Sequence, residues 1–218
     1  MLTTFALLAL LTSTDDDPPG PAKGLPTVLK GTEEARLEAW DLTDKDAWKI
    51  SDDGGRKVLD QSKASKYETK VRSPFNIAWA KDLDVADFVL DLKVKSTARD
   101  YGHRDVCLFF GRQDDSHFYY VHMAKAADPH AHSVFLVNGK DRVSICDDRT
   151  KGVDWTDGWH HVRIVRKVGD GLIQVFFDDM QKPIMTTHDK TFTRGTIGLG
   201  TFDDTARFDA VRLWGAKP

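Results

Sequence analysis

The chain has 218 residues, a net charge of −3, 16 glycines and only 2 cysteines. That length supports one substantial core, and a single all-β sandwich commonly reaches it. Acidic and basic residues are interspersed with no long basic run, which argues against nucleic acid as a partner.

The N-terminus reads as an export signal, with an apolar run at 5–11 followed by the small residues Thr12-Ser13-Thr14. The run is too short to span a bilayer, so no transmembrane segment is expected and the address is secreted or periplasmic. Its departure from a signal peptide is an n-region without Lys or Arg. We therefore read residues 1–14 as a signal peptide and residues 31–218 as one domain. Residues 15–30, carrying four prolines and three aspartates, read as a disordered linker between them.

Strands are expected at 36–40, 48–50, 57–59, 73–80 and 88–94, the last from its strict alternation of apolar and polar residues. Four more, at 106–111, 118–123, 133–137 and 143–146, are joined by short links. Gln113-Asp114-Asp115-Ser116 and Asn138-Gly139-Lys140-Asp141 read as hairpin turns, the second with an Asn-Gly pair that tolerates positive φ. Strands at 159–167, 173–178, 196–200 and 206–214 follow. Helix is limited to isolated turns at Ala47 and 64–67. About a dozen strands with turn residues between them predict an all-β fold, a two-sheet antiparallel β-sandwich of jelly-roll type.

The link between Arg112 and His117 pairs Cys107 with His122 and Phe109 with Tyr120. One face of the meander then carries Val106, Leu108, Phe110, Tyr119, Val121 and Met123, continued by Val134, Leu136, Val143 and Ile145, and points into the core. The other carries Asp105, Cys107, Phe109, Phe118, Tyr120 and His122, continued by Ser133, Phe135, Val137, Arg142, Ser144 and Cys146. Cys107 and Cys146 are separated by two strands at ~4.8 Å spacing, too far for a disulfide.

The second face mixes rings with hydrogen-bonding groups, the combination a sugar needs for its C–H faces and its hydroxyls. In the competing reading, Phe109, Phe118 and Phe135 pack beneath a covering loop, and Tyr120 and His122 satisfy each other.

The closing segment Gly195-Thr196-Ile197-Gly198-Leu199-Gly200-Thr201-Phe202, then Phe208-Asp209-Ala210-Val211-Arg212-Leu213, resembles the last two strands of concanavalin A-like jelly rolls. Laminin G-like modules and 3-keto-disaccharide hydrolase-type domains end similarly, often with Asn where Ala210 stands. Phe109-Phe110-Gly111-Arg112-Gln113-Asp114, Phe118-Tyr119-Tyr120-Val121 and Trp159-His160-His161-Val162-Arg163-Ile164 resemble laminin G-like strands. The likeness covers roughly residues 37–214 and is specific for fold rather than function. It implies a concave glycan-binding face. It also implies a structural Ca2+ near the last strand, with Asp209 at the family's position and Glu38 as a second oxygen ligand. The competing reading of Asp209 is a solvated strand carboxylate. The carboxylate pair of laminarinase-type members and the motifs of alginate lyases are absent, so neither activity transfers.

The expected function is recognition of a polysaccharide or oligosaccharide by His103, Arg104, Asp105, Phe109, Tyr120, His122 and Arg142. A carbohydrate-active enzyme, lyase or glycoside hydrolase, is the alternative. It would use His122 or Tyr120 as base and an arginine to neutralise a uronate carboxylate. A non-catalytic protein-interaction module is the third class. His130-x-His132 offers a transition-metal pair if both share a face. Asp178-Asp179 and Asp203-Asp204 read as turn carboxylates.

Overall fold

The computed structural model describes residues 19–29, 36–64 and 68–218. The expected signal peptide, and residues 65–67 of one expected helical turn, lie outside these. In chain order the strands are β1 (Thr27–Leu29), β2 (Trp40–Leu42), β3 (Trp48–Asp53), β4 (Arg56–Gln61) and β5 (Asn76–Ala80). Then come β6 (Phe88–Ser96), β7 (Asp105–Asp114), β8 (His117–Ala124), β9 (Ser133–Asn138), β10 (Val143–Ser144) and β11 (Asp148–Arg149). The last are β12 (His160–Lys167), β13 (Leu172–Phe177), β14 (Met185–His188), β15 (Thr196–Thr201) and β16 (Ala206–Gly215).

They form two antiparallel sheets. One runs β11-β14-β13-β12-β6-β16-β4-β3 with β1 added against β16, and the other runs β10-β9-β8-β7-β15-β5-β2. The alternating apolar residues of each sheet meet between them. Leu59, Leu90, Leu92 and Phe208 from the first pack with Leu108, Phe110, Tyr119 and Val121 from the second. Each such side chain, fully removed from water, contributes about 1.5–3 kcal/mol.

The meander keeps the expected pairing, with Cys107 opposite His122 and Phe109 opposite Tyr120. It does so by a different turn. Asp114 pairs with His117 across a two-residue link, and a bulge after Phe110 takes up the extra residues at Gly111, whose φ is +65°. Two face assignments, Val143 to the core and Cys146 to the second face, fail at the sheet edge. Val143 is 45% exposed, and Cys146 packs toward the inter-sheet core beside Ile145. The cause is length: β10 has two residues, so alternation stops at Ser144. Cys107 and Cys146 are free, on β7 and just beyond β10, with β8 and β9 between.

Other departures have local causes. Residues 36–40 are not a strand, because Leu37–Ala39 forms a 3-10 turn and β2 starts at Trp40. Leu, Glu and Ala favour helical backbone and none is β-branched. Part of the segment read as linker is folded. Gly20–Ala22 makes a 3-10 turn, Ala22 packs with Val89, Val165, Phe176 and Trp214, and Thr27 and Leu29 pair with Trp214 and Leu213.

Candidate functional site

The second face of the meander is largely a second core. Ile77, Trp79, Cys107, Phe109, Phe118, Tyr120, Phe135 and Val137 form one buried cluster, with Val71 and Phe202 packed over it. Phe109 sits edge-on to Trp79 and stacked on Tyr120, and Tyr120 stacks on Phe135 at 5.1 Å. Phe109 and Tyr120 are both 0% exposed, so neither is a platform for a sugar. Burial raises the Tyr120 phenol well above its usual range, and its hydroxyl accepts from Arg142 Nη1 at 2.6 Å. Tyr120 therefore anchors Arg142, and the expected role as a catalytic base gives way to that one.

The polar end of the same face stays open. A pocket of about 240 Å3 is lined by Arg72, Tyr101, His103, Asp105, His122, His130, Arg142, Phe202 and Asp203. Four residues expected from sequence, His103, Asp105, His122 and Arg142, thus meet in one place. Arg142 lies between two rings, with its guanidinium carbon 4.4 Å from the centroid of Phe202 and 4.8 Å from that of Phe135. Its Nη2 donates to the His130 carbonyl. His103 Nε2 is 2.8 Å from Asp128 Oδ2, and Asp128 Oδ1 accepts the His130 N–H. Arg72 joins from the covering loop, whose backbone bonds to Asp141 and Arg142 at the tip of the β9–β10 hairpin.

Arg104 is absent from this group. Strand alternation turns it to the other side, where it is 2% exposed and donates to the carbonyls of Ser96 and Thr156 and to Asp157. Sequence adjacency to His103 and Asp105 was misleading there. Arg72, Tyr101, Phe202 and Asp203 were not anticipated as site residues. Arg72, Phe202 and Asp203 arrive from loops distant in sequence, whereas Tyr101 lies two residues before His103, and only the Asp203-Asp204 turn itself was visible.

Three carboxylates converge under the pocket. Asp105 is buried, its Oδ1 accepts the Phe202 N–H at 3.1 Å, and its own N–H donates to Asp204 Oδ2 at 2.9 Å. Asp204 Oδ1 accepts from the Tyr101 hydroxyl. Burial, then the Asp105 charge, pushes Asp204 up to about 6 and raises Asp203 as well. Asp105 Oδ2 stands 3.2 Å from His122 Nε2 but is not aligned for a hydrogen bond, and neither ring nitrogen of His122 has such a partner. Asp105, Cys107 and His122 hold their ligand atoms within 4.8 Å of one another. Burial, then Asp105, raises the Cys107 thiol well above its usual value.

The other metal expectations meet obstacles. Asp209 is buried against Arg56 at 2.7 Å and accepts the Ala210 N–H, so its charge is already neutralised. Glu38 lies exposed in the 3-10 turn before β2, and no cluster of three ligand side chains among the described residues includes either. These two residues do not fit a Ca2+ site, which needs six to eight oxygens. His130 and His132 do not form a pair either. His132 has φ +53°, is 0% exposed and bonds Thr150, whereas His130 lines the pocket.

A second hollow of about 450 Å3 opens among Asp41, Lys81, Asp84, Arg112 and Arg194. It is more open, has no aromatic lining, and four of its charges pair with each other, Lys81 with Asp41 and Arg194 with Asp84. It offers a sugar no ring to stack on.

No protein-family model matches the chain, and no curated protein does. Among solved structures it is similar to a carbohydrate-binding module from Bacillus subtilis, at 16% identity over 81% of this chain and 96% of that one, with a TM-score of 0.59. A putative glycosyl hydrolase from Parabacteroides distasonis matches at 16% identity over 86% and 98%, with a TM-score of 0.57. Lectin I-B4 from Griffonia simplicifolia matches at 11% identity over 85% and 97%, with a TM-score of 0.52. At such identities the likeness establishes fold, and the fold of this chain is the concanavalin A-like jelly roll.

Proposed function

We propose that this protein binds an oligosaccharide, taking a single sugar ring at a chain end or branch into the pocket around Phe202. The observation that carries the reading is the convergence of hydrogen-bonding groups from Arg72, Tyr101, His103, His130 and Arg142 around the half-buried ring of Phe202. The volume, about 240 Å3, is below the ~300–1,000 Å3 of pockets for drug-sized ligands, so it suits one ring better than a long chain. That similar structures include a carbohydrate-binding module and a lectin supports the reading. Among the described residues only Val28 and Val143 are exposed large hydrophobics, which disfavours the protein-interaction alternative. Export through residues 1–14 belongs to the same proposal and is read by N-terminal sequencing of the mature chain.

The test is a glycan screen of the purified protein, recording binding by calorimetry and products by chromatography. His130→Ala, on an exposed residue, and Phe202→Ala are each expected to weaken binding by about tenfold or more, which is 1.4 kcal/mol. Binding unchanged in both variants would refute the pocket. Shortened or unsaturated products from the wild-type protein would make it a hydrolase or lyase instead.

A further inference from the structure

The floor of the pocket contains a group that sugar binding leaves unexplained. Asp105 and Cys107 are i and i+2 on β7, so they share a face, and His122 stands directly opposite Cys107 on β8. All three are at least 97% buried, with exposures of 1%, 0% and 3%. His122 stacks against Phe202, yet both of its ring nitrogens lack a hydrogen-bond partner. A buried imidazole with neither nitrogen engaged is costly, and Nε2 has a carboxylate oxygen 3.2 Å away and a thiol close by.

We infer that Asp105, Cys107 and His122 form a binding site for a divalent transition-metal ion of the zinc class, independent of the sugar reading. The donor set is one oxygen, one sulfur and one imidazole nitrogen, which suits zinc and not calcium. The three ligand atoms, one from each side chain, lie within 4.8 Å of one another. Cys107 Sγ is 3.8 Å from Asp105 Oδ1, and His122 Nε2 is 3.2 Å from the other oxygen, Oδ2. Bonds of ~2.0–2.3 Å in a tetrahedron require ligand separations of about 3.3–3.6 Å, so the ion draws the side chains inward as it binds. As the ion enters, a metal–sulfur bond replaces the S–H bond and the thiol proton passes to solvent. Carboxylate and thiolate then balance the two positive charges. Asp105 and His122 both line the pocket, so the fourth position faces it and takes a water. An outer shell exists as well. The Phe202 N–H donates to the Asp105 carboxylate, while Asp204, held by Tyr101, accepts the Asp105 backbone N–H.

The experiment uses the full chain, stripped with a chelator and titrated with Zn2+ and Co2+ in the absence of glycan. The expected result is one ion per chain, one proton released, and a thiolate-to-cobalt charge-transfer band. Cys107→Ser, nearly isosteric, abolishes the band and weakens affinity by at least the ~10–100-fold that loss of an outer-shell partner alone costs. Cys146→Ser leaves both unchanged, and His122→Gln weakens affinity similarly. Three results overturn the site: no ion retained, a cobalt spectrum without the charge-transfer band, or unaltered binding in Cys107→Ser. Glycan binding can fail in its own screen without touching any of these.

Discussion

His132 makes the acid stability of the fold a quantitative question. It is 0% exposed, bonds Thr150 Oγ1 through Nε2 at 2.9 Å, and is pulled down to about 4 by burial first, then by Arg149 and His122. In the unfolded chain an ordinary histidine titrates near 6.5. Above that value both states are neutral at this position and no stability is lost. As pH falls below it, the unfolded chain takes up a proton that the folded chain refuses until about 4, so the folded state loses ground across that window. At about pH 4.5 the unfolded state is favoured by nearly two pH units at 1.36 kcal/mol each, or about 2.5 kcal/mol. That is a large share of the ~5–15 kcal/mol that holds a typical domain together. His132→Asn removes the titration while keeping a side chain that tolerates the local φ of +53°. Urea unfolding followed by tryptophan fluorescence, at about pH 7.5 and about pH 4.5, reads the difference. The wild-type protein should lose about 2.5 kcal/mol more than the variant on acidification. Equal losses in the two proteins would show that His132 takes its proton in the folded state, and would refute the reasoning.

Ala210 has φ +49° at the bulge between Asp209 and Arg212, a conformation glycine adopts without steric cost. Ala210→Gly is therefore expected to stabilise by about 0.5–1 kcal/mol, a rise of about 1–4 °C in Tm by calorimetry, and an unchanged or lower Tm would count against strain there. Arg104→Met leaves the buried carbonyls of Ser96 and Thr156 without their donor and should cost about 3 kcal/mol in urea unfolding. Because Arg104 faces away from the pocket, the folded variant should bind glycan as the wild type does.

Much of the architecture was legible because the information is periodic. The alternation of 88–94 and of 106–123 placed β6, β7 and β8, and the burial of Leu108, Phe110, Tyr119 and Val121 fixed their register. The closing motif was legible for a steric reason. A Cβ on Gly198 would meet the Trp79 ring at 2.8 Å, and one on Gly200 would meet the Asn76 carbonyl at 1.8 Å, so the glycines record how closely β5 and β15 approach. Strands of two to four residues, β1, β11 and β14, carry too few residues to show a period. The position of Asn in related endings where Ala210 stands also has its explanation in the structure, since Asn accepts positive φ more readily than Ala.

The site was only half legible, and the reason lies in how the second face is divided. Read along β7 and β8, that face is polar at one end, with Asp105 and the Cys107–His122 pair, and aromatic at the other, with Phe109–Tyr120 and Phe118. A sequence shows that both kinds of residue share a face, but not that a distant segment will cover one end. Val71 and Phe202 cover the aromatic end, so the rings become core and the sugar surface shrinks from a sheet-wide groove to a pocket at the polar end. Phe202 then serves two functions: it closes the second core and presents its ring among the polar groups. Its place is held by Asp105 through the backbone N–H and by Arg142 and His122 stacked against its ring. The pocket is thus assembled from the boundary of a core, and a substitution at Phe202 should weaken ligand binding and open the Phe109–Tyr120 cluster together.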